Sequence, residues 1–315
     1  MFNPNKFIEE TVKKIKNEIK EETLIAFSGG VDSTVCAALV NKAIGNNLIA
    51  VNVDTGYMRK NEPQEIKNLM KKMKLNYRFI EASETFYKSL KGILDPEEKR
   101  KIIGETFIRI FENVAKEENI KYLVQGTIAP DWIESGDDFR DTIKSHHNVG
   151  GLPKDMNLKL VEPLRDLYKD EVRKVARSLN LIVSEKQPFP GPGLAIRIIG
   201  EATEDRTRIV REACDIVEKE IEEAARKKYM ELPWQYFAVL LPTKSVGVQG
   251  DQRAYGFVIA IRAVQSIDAM TCEFSKIPSN VIEKISNKIT NNLGNEINRV
   301  VYDITNKPPG TVEWE

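Results

Sequence analysis

Residues 23–34 of this chain read TLIAFSGGVDST, and they contain the clearest structural signals in the sequence. The first five residues, TLIAF, are mostly apolar and include β-branched side chains, which predicts a short buried strand. The glycine-rich residues that follow predict a tight turn, and the small apolar side chains of VCAALVNKAIG at 35–45 predict a helix. Strand, glycine turn and helix in this order form the first half of a βαβ unit.

The alternation of strand and helix continues through the first half of the chain. Apolar residues at helical spacing predict a helix at 4–21, and further helices are predicted near 61–74 and 95–118. Three more strands are predicted from apolar runs at 48–54, 76–82 and 122–126. Alternating strands and helices are joined by right-handed crossovers, so we expect an α/β fold with a doubly wound, mostly parallel sheet.

The pattern changes after residue 126. Residues 127–160 are polar and rich in turn residues, and a connection of that length is usually functional or disordered. QPFPGPG at 187–193 places three prolines and two glycines in seven residues, which indicates a domain boundary. We therefore predict a first domain at residues 1–187, with a lid near 127–160, and a smaller α+β domain at 188–315. The elements expected after the lid are helices at 166–180, 203–229 and 279–291 and strands at 235–242, 255–265 and 299–305.

Composition narrows the class of protein. The 315 residues contain 47 Lys and Arg against 47 Asp and Glu, and this balance argues against a dedicated nucleic-acid binder. The sequence contains no apolar run of about 18 residues and no apolar signal core at its start, so we expect no membrane span and a cytoplasmic location. The three cysteines lie far apart, which excludes a disulfide framework and a zinc site of the usual spacing.

The glycine turn is the strongest candidate site. SGGVDS lies where an α/β sheet binds ligands, between a strand and the start of a helix. Gly29 and Gly30 allow close backbone approach, so that the turn amides point at an anion such as a phosphate. Ser28, Ser33 and Thr34 add hydroxyl donors. Because the carboxylate of Asp32 would repel a phosphate, the pattern favours a divalent cation that bridges the two.

The string SGGVDS resembles the PP-loop of the N-type ATP pyrophosphatases, which split ATP between its α- and β-phosphates. The Gly-Lys-Ser/Thr ending of a Walker A loop is missing. The resemblance implies ATP as a substrate, Mg²⁺ held by Asp32, and an adenine beside VNVDTG at 51–56. The residues that it assigns to ATP are Ser28, Gly29, Gly30, Val31, Asp32, Ser33, Thr34, Val53 and Gly126.

Further segments resemble one family within that group, GMP synthase. GTIAPDWIES at 126–135 and IKSHHNVGGLP at 143–153 are similar to its lid. Other similar segments follow in order over nearly the whole chain: KRKIIG at 99–104, VEPLRDLYKDEVRK at 161–174, PFPGPGLAIR at 188–197, SVGVQGD at 245–251 and RVVYDITNKPPGTVEWE at 299–315. The match is to the ATP-pyrophosphatase part of the family alone.

The resemblance implies a reaction and its partners. The C2 oxygen of XMP attacks the α-phosphate of ATP, pyrophosphate leaves, and ammonia then displaces AMP to give GMP. The enzyme class is an ATP-dependent carbon–nitrogen ligase. Because the sequence contains no glutamine-hydrolysing domain, we expect ammonia to come from a separate glutamine amidotransferase subunit. The family also forms a homodimer through its C-terminal domain.

The resemblance assigns catalytic roles around the lid. Lys144 would stabilise charge on the α-phosphate, and His146 and His147 would hydrogen-bond phosphate oxygens. Asp131 and Glu134 would bind magnesium or orient the nucleophile. The catalytic set also includes Asp32, Lys169 and Asp170. Ordinary roles stay open: a surface histidine pair, an acidic cluster at a helix start, and a helix cap for Asp170.

The last residues of the chain are assigned to XMP by the same resemblance. Arg299 and Lys307 would hold its phosphate, and Glu313 would hold its ribose or base. Val312 and Arg100 are expected at the same nucleotide. The alternative for the two basic residues is that they are solvated surface charges.

Two other functions stay open at this point. One is another PP-loop enzyme, such as an NAD synthetase or a tRNA-modifying adenylating enzyme. The thiolating members normally use catalytic cysteines or a basic RNA-binding module, and this sequence offers neither. The other is a nucleotide-binding regulatory subunit that has lost catalysis, against which the retention of Asp32, Lys144, His146 and His147 counts.

Overall fold

The computed structural model describes residues 2–129, 158–181, 187–249, 251–266 and 269–315. The chain forms two compact units that interleave along the sequence. The first unit consists of Met1–Thr55, Asn61–Ala82 and Gly104–Lys186, and the second of Gly56–Lys60, Ser83–Ile103 and Gln187–Glu315. Because the second unit includes two short segments from the first half, the domains at 1–187 and 188–315 stay a prediction.

The first unit contains a five-stranded sheet in the order β3-β2-β1-β4-β5, and every pair of neighbours is parallel. Its elements are α1 (Pro4–Glu18), β1 (Thr23–Ala26), α2 (Val31–Ile44), β2 (Leu48–Asp54), α3 (Glu62–Lys72), β3 (Asn76–Glu81), β4 (Tyr122–Val124), β5 (Lys159–Val161) and α6 (Lys169–Ser178). The predicted α/β fold with a parallel sheet is confirmed.

The order of the strands decides where a ligand can bind. β1 lies between β2 and β4, with Thr23 opposite Leu48 on one side and opposite Tyr122 on the other. Successive strands run outward from β1 to β3 on one side, and the chain then returns to place β4 on the other side. In parallel sheets a crevice opens at such a reversal, beyond the carboxyl ends of the two strands. The turn after β1 and the residues after β4 therefore lie together.

The second unit contains a mixed four-stranded sheet. β6 (Gln235–Gln249) and β7 (Gln252–Gln265) form an antiparallel hairpin, β8 (Glu273–Phe274) is antiparallel to β7, and β9 (Ile297–Asp303) is parallel to β7. Its helices are α4 (Ser83–Ser89), a 3₁₀ turn (Gly193–Arg197), α7 (Glu204–Arg226) and α8 (Ser279–Asn292). A further helix, α5 (Pro96–Glu117), begins in the second unit and ends in the first.

Several element bounds differ from the sequence prediction, and two of these differences have a clear structural reason. α6 begins at Lys169 instead of 166, because residues 163–166 form a turn and Tyr168 occupies the N-cap. β6 continues past Pro242 to Gln249, although proline has no backbone N–H to donate. β6 lies at the end of the sheet and its register shifts between Leu241 and Lys244, and both features allow a proline within a strand.

Within the ranges that the structure describes, no helix is both long enough and apolar enough to cross a membrane.

Candidate functional site

The turn after β1 depends on glycine for two reasons. Gly29 has φ +73°, in the left-handed region that side chains avoid, and a Cβ placed there would lie 2.7 Å from Cγ1 of Ile66. Gly30 is the N-cap of α2, with φ −71° and ψ 166°. The backbone therefore turns sharply from the strand into the helix, and Val31 becomes the first helical residue. A helix N-terminus built in this way is suited to an anion.

The hydroxyl groups of the turn bond within the turn. The Oγ atoms of Ser28 and Ser33 lie 2.9 Å apart, and Ser33 Oγ also donates to the carbonyl of Gly30 at 3.2 Å. Thr34 Oγ1 donates to that same carbonyl at 2.7 Å, and Thr34 is completely buried. Thr34 therefore helps to shape the turn, and its direct contact with a phosphate stays a prediction.

Asp32 lies in the first turn of α2, and its two carboxylate oxygens differ in their hydrogen bonding. Oδ2 accepts a hydrogen bond from Nζ of Lys169 at 2.6 Å. Oδ1 is buried and has no hydrogen-bond partner among the described residues. An unpaired buried carboxylate oxygen is costly, and it is a ligand that Mg²⁺ prefers. The donor atoms at Asp32 therefore fit the predicted magnesium ion.

Gly126 packs against the Cβ and the backbone of Asp32. A Cβ on Gly126 would lie 3.2 Å from Cβ of Asp32 and 3.4 Å from the backbone nitrogen of Ser33. The residues after β4 thus pack directly on the glycine turn after β1, as the reversal of strand order requires. Val53, which is assigned to ATP by resemblance, is buried near the carboxyl end of β2.

Lys169 and Asp170 open α6, but they make different contacts. Lys169 forms the ion pair with Asp32, whereas Asp170 pairs with Lys174 at 3.0 Å. The hydrogen bond from Lys174 holds the pKa of the exposed Asp170 below its usual value. The N-cap position is occupied by Tyr168, and Asp170 lies in the first turn of the helix, where backbone hydrogen bonds from Asp170 and Glu171 also lower its pKa. The remaining catalytic assignments, Asp131, Glu134, Lys144, His146 and His147, lie outside the described residues.

In the second unit, Glu313 is held by a buried arginine. Arg197 Nε and Nη2 donate to the two carboxylate oxygens of Glu313 at 3.0 Å and 2.8 Å, and Gln235 Nε2 donates at 2.9 Å. The guanidinium of Arg197 lies 3.9 Å from the ring centre of Phe237. Burial by itself lowers the pKa of Arg197, but the Glu313 carboxylate outweighs it and raises that pKa.

A second anchor lies two residues further on. Lys99, which is completely buried, donates to the Glu315 carboxylate and to the carbonyl of Ile198 at 2.8 Å. Arg100 donates to the backbone carbonyl of Glu315. Burial lowers the pKa of Lys99 and raises that of Glu315, and their mutual attraction opposes both shifts.

The other residues assigned to XMP are in the same unit. Arg299 is exposed, Lys307 Nζ donates to the carbonyl of Ala269 at 2.8 Å, and the carbonyl of Val312 accepts from Arg262 at 3.4 Å. Among the described contacts, no hydrogen bond or ion pair joins Arg299, Lys307 and Glu313 to one another. These residues share one unit, and their meeting at one ligand stays a prediction.

The sequence prediction missed three residues of these clusters. Arg197, Gln235 and Lys99 bind the segment at 311–315, yet each lies far from it along the chain. Arg197 ends PFPGPGLAIR and Lys99 begins KRKIIG, two of the segments quoted for the family resemblance. Those two segments are the signal that would have found both cations.

Comparison with curated proteins finds relatives along the whole chain, each named as a subunit of GMP synthase (glutamine-hydrolyzing). The relative from Thermoplasma volcanium is 55% identical over 309 residues, which cover 98% of both chains. The protein with the same name from Methanopyrus kandleri is 54% identical over 319 residues, 100% of both. That of Thermococcus kodakarensis is 55% identical over 313 residues, 98% of this chain and 99% of its own. The similarity therefore includes both units.

Two family models and one solved structure match parts of the chain. Residues 220–314 match the GMP synthase C terminal domain, and residues 3–129 match NAD synthase. NMN synthetase from Francisella tularensis covers 66% of this chain and 82% of its own at 17% identity, with a TM-score of 0.48. The NAD synthase match contains the glycine turn but ends before α6 and the second sheet. The relatives that match over the full length cover both units, so they distinguish the GMP synthase family from the NAD synthases.

Proposed function

The chain belongs to the same family of GMP synthase subunits as these relatives, and from that premise we infer that it is the ATP-dependent ligase that converts XMP to GMP. ATP adenylates XMP with release of pyrophosphate, and ammonia then displaces AMP. The observation that carries this conclusion is identity of 53–55% with the GMP synthase relatives over 98–100% of the chain. An NAD synthetase is not favoured, because that match is confined to residues 3–129.

We propose that the glycine turn binds the pyrophosphate part of ATP. The amides of Gly29, Gly30 and Val31 and the hydroxyls of Ser28 and Ser33 lie at the N-terminus of α2, where the helix dipole favours negative charge. Each hydrogen bond to a charged oxygen contributes about 1.5–3 kcal/mol, so several together form a strong phosphate site. Val53 and Gly126 border the same end of the sheet.

Asp32 is the proposed magnesium ligand, through its unpaired Oδ1. A bound ion would supply positive charge to the phosphate oxygens, which is the main requirement of phosphoryl chemistry. Asp32 would position that charge beside the phosphate site, since it lies in the first turn of α2, next to the glycine turn.

The lid residues carry the proposed chemistry at the α-phosphate. By family resemblance, Lys144 stabilises the charge that develops there, and His146 and His147 hydrogen-bond phosphate oxygens. Asp131 and Glu134 orient the nucleophile or bind magnesium. Asp170 belongs to the same proposed catalytic set.

XMP is proposed to bind at the other end of the chain. Glu313 would accept hydrogen bonds from its ribose or base, with the carboxylate held in one orientation by Arg197. Arg299 and Lys307 would hold the phosphate, and Val312 and Arg100 complete the set. A site that hydrogen-bonds the xanthine oxygen can reject a purine without it by about 10⁴–10⁵.

The names of the relatives imply a partner. Each relative is named as one subunit of a glutamine-hydrolyzing enzyme, which calls for a separate amidotransferase that supplies ammonia. We also propose a homodimer through the second domain and a cytoplasmic location.

An absorbance assay with ATP, magnesium, XMP and ammonium tests this function. We expect conversion of XMP to GMP that depends on both ATP and ammonium, and no turnover with glutamine until the amidotransferase is added. If XMP is inert while ATP is bound, the ligase function is wrong. ATP binding without pyrophosphate release would identify an inactive regulatory subunit instead.

A further inference from the structure

Lys169 and Asp32 form an ion pair inside the proposed ATP site. Nζ of Lys169 lies 2.6 Å from Oδ2 of Asp32, across 137 residues of sequence. Within the described ranges, Lys169 forms the one salt bridge to this carboxylate. The ammonium group of Lys169 is thus bonded to one carboxylate oxygen of the residue that is proposed to hold magnesium. The other oxygen, Oδ1, has no hydrogen-bond partner among the described residues.

The backbone of Lys169 is fixed, but its side chain can move. Val172, Val175 and Ala176 anchor α6 in the core, and Glu171 caps the helix by accepting from the backbone nitrogen of Tyr168 at 3.0 Å. The Lys169 side chain is 46% exposed. A lysine ammonium is a compact charge on a flexible stem with three donors, so it can exchange one anionic partner for another nearby.

A lysine and a divalent cation on one carboxylate repel each other. When the cation arrives with a nucleotide at the glycine turn, Asp32 gains a stronger counter-ion and phosphate oxygens become available beside α2. A free ammonium at this position then finds a better partner in the phosphate than in the neutralised carboxylate.

We propose that Lys169 is an exchangeable counter-ion: it neutralises Asp32 in the empty site and transfers to a phosphate oxygen when the metal–nucleotide complex binds. This inference rests on the proposed function, because it requires ATP with a divalent cation at the glycine turn. It assigns Lys169 opposite effects on the two ligands, since the residue competes with the bare metal and contributes to binding of the metal–nucleotide complex.

Lys169→Met tests the exchange through two affinities, and neither measurement needs XMP. Binding of Mn²⁺ alone is followed by electron paramagnetic resonance, and binding of the Mn²⁺ complex of α,β-methylene-ATP by calorimetry. We expect Mn²⁺ alone to bind at least about threefold more tightly, because a competing charge is removed. We expect the nucleotide complex to bind about tenfold or more weakly, because one charged hydrogen bond is lost.

Two further variants separate exchange from a structural ion pair. Lys121→Met removes another 2.6 Å lysine–carboxylate pair in the same unit, with Glu21, at the amino end of β4, and should change neither affinity. Lys169→Arg keeps the charge, so its affinity for Mn²⁺ alone should stay close to that of the wild type.

The two measured affinities distinguish the exchange from a structural ion pair and from a failure of the proposed function. Weaker binding of both ligands by Lys169→Met would identify a structural pair that only positions Asp32, and would overturn the exchange. Unchanged or undetectable Mn²⁺ binding in this variant would also overturn it. If the wild-type protein fails to bind the nucleotide complex at all, the proposed function fails first and the exchange with it. Nucleotide binding by the wild type without tightening of Mn²⁺ in the variant refutes the exchange alone.

Discussion

Arg197 grips Glu313 with two parallel hydrogen bonds, 3.0 Å and 2.8 Å long, and the guanidinium is almost completely buried. Bidentate pairs of this kind are among the strongest hydrogen-bonded contacts in proteins and fix the plane of the carboxylate. Together with the Lys99–Glu315 pair, the contact anchors the segment at 311–315 at two points on the second unit. Glu313 is thereby held in one orientation before any substrate binds.

We expect Arg197→Met to lower the free energy of unfolding by about 3–5 kcal/mol, because it leaves the Glu313 carboxylate without its buried partner. Urea denaturation measures the change. Arg299→Met is the matched control: Arg299 is exposed, and its loss should alter stability by less than about 0.5 kcal/mol. Equal effects of the two substitutions would show that the buried pair contributes nothing particular.

Glu315→Gln should weaken XMP binding through Glu313 rather than by direct contact. The change removes the charge that pairs with Lys99 and loosens the segment that carries Glu313. Loss of one charged contact corresponds to a KM for XMP about tenfold higher, with KM for ATP changed less than about threefold. Steady-state kinetics with each substrate varied gives both values. Glu283→Gln, at an exposed position of α8, should change neither, and an equal rise in both KM values would contradict the positioning role.

Gly29→Ala should destabilise the protein more than Gly45→Ala. Both residues have positive φ, +73° and +59°, so each substitution carries the backbone cost of about 1–2 kcal/mol. Only the Cβ at Gly29 meets another residue, Ile66, at 2.7 Å, whereas nothing lies within 4 Å of a Cβ at Gly45. The clash adds about 1–3 kcal/mol at Gly29. Urea midpoints for the two variants check the difference, and only Gly29→Ala should also weaken ATP binding.

The free energy of unfolding should fall at alkaline pH, and deprotonation of Cys214 should account for part of the fall. Burial raises the pKa of its thiol to about 11. Because the folded state holds the proton more tightly, the stabilisation is fully present below the unfolded pKa of about 8.5 and is lost as the pH rises through the folded value. Between pH 8.5 and 11, the contribution of Cys214 to the free energy of unfolding should fall by about 2–3 kcal/mol.

Cys214→Ala isolates this contribution. Urea unfolding of the variant should show a smaller decline over the same pH range, while the tyrosines with raised pKa values, Tyr57, Tyr236 and Tyr302, still contribute to it. Equal declines in the two proteins would exclude the thiol. At pH 8 the three buried thiols of the native protein should also resist a disulfide reagent that labels all three after unfolding.

The first sheet could be predicted well because its signals are local. The apolar run at 48–54 corresponds to β2 with the same ends. A strand, a glycine turn and a helix follow one another from Thr23 in the predicted order, although the helix begins at Val31 instead of 35. Alternation of strands and helices then leaves few topologies, since the crossover between parallel strands has one hand. The boundaries moved where a cap or a sheet edge decided them, as at Lys169 and Pro242.

The parallel sheet, the glycine turn and the family can thus be predicted from the sequence, because periodicity, turn chemistry and ordered motifs are properties of neighbouring residues. The partners of the charged residues become visible in the three-dimensional structure: Lys169 pairs with Asp32 across 137 residues, and Arg197 with Glu313 across 116. The sequence around a charged residue does not indicate its partner, since an ion pair forms wherever packing brings two opposite charges within a few ångströms. That choice is made by the arrangement of strands and helices, after the local structure has formed.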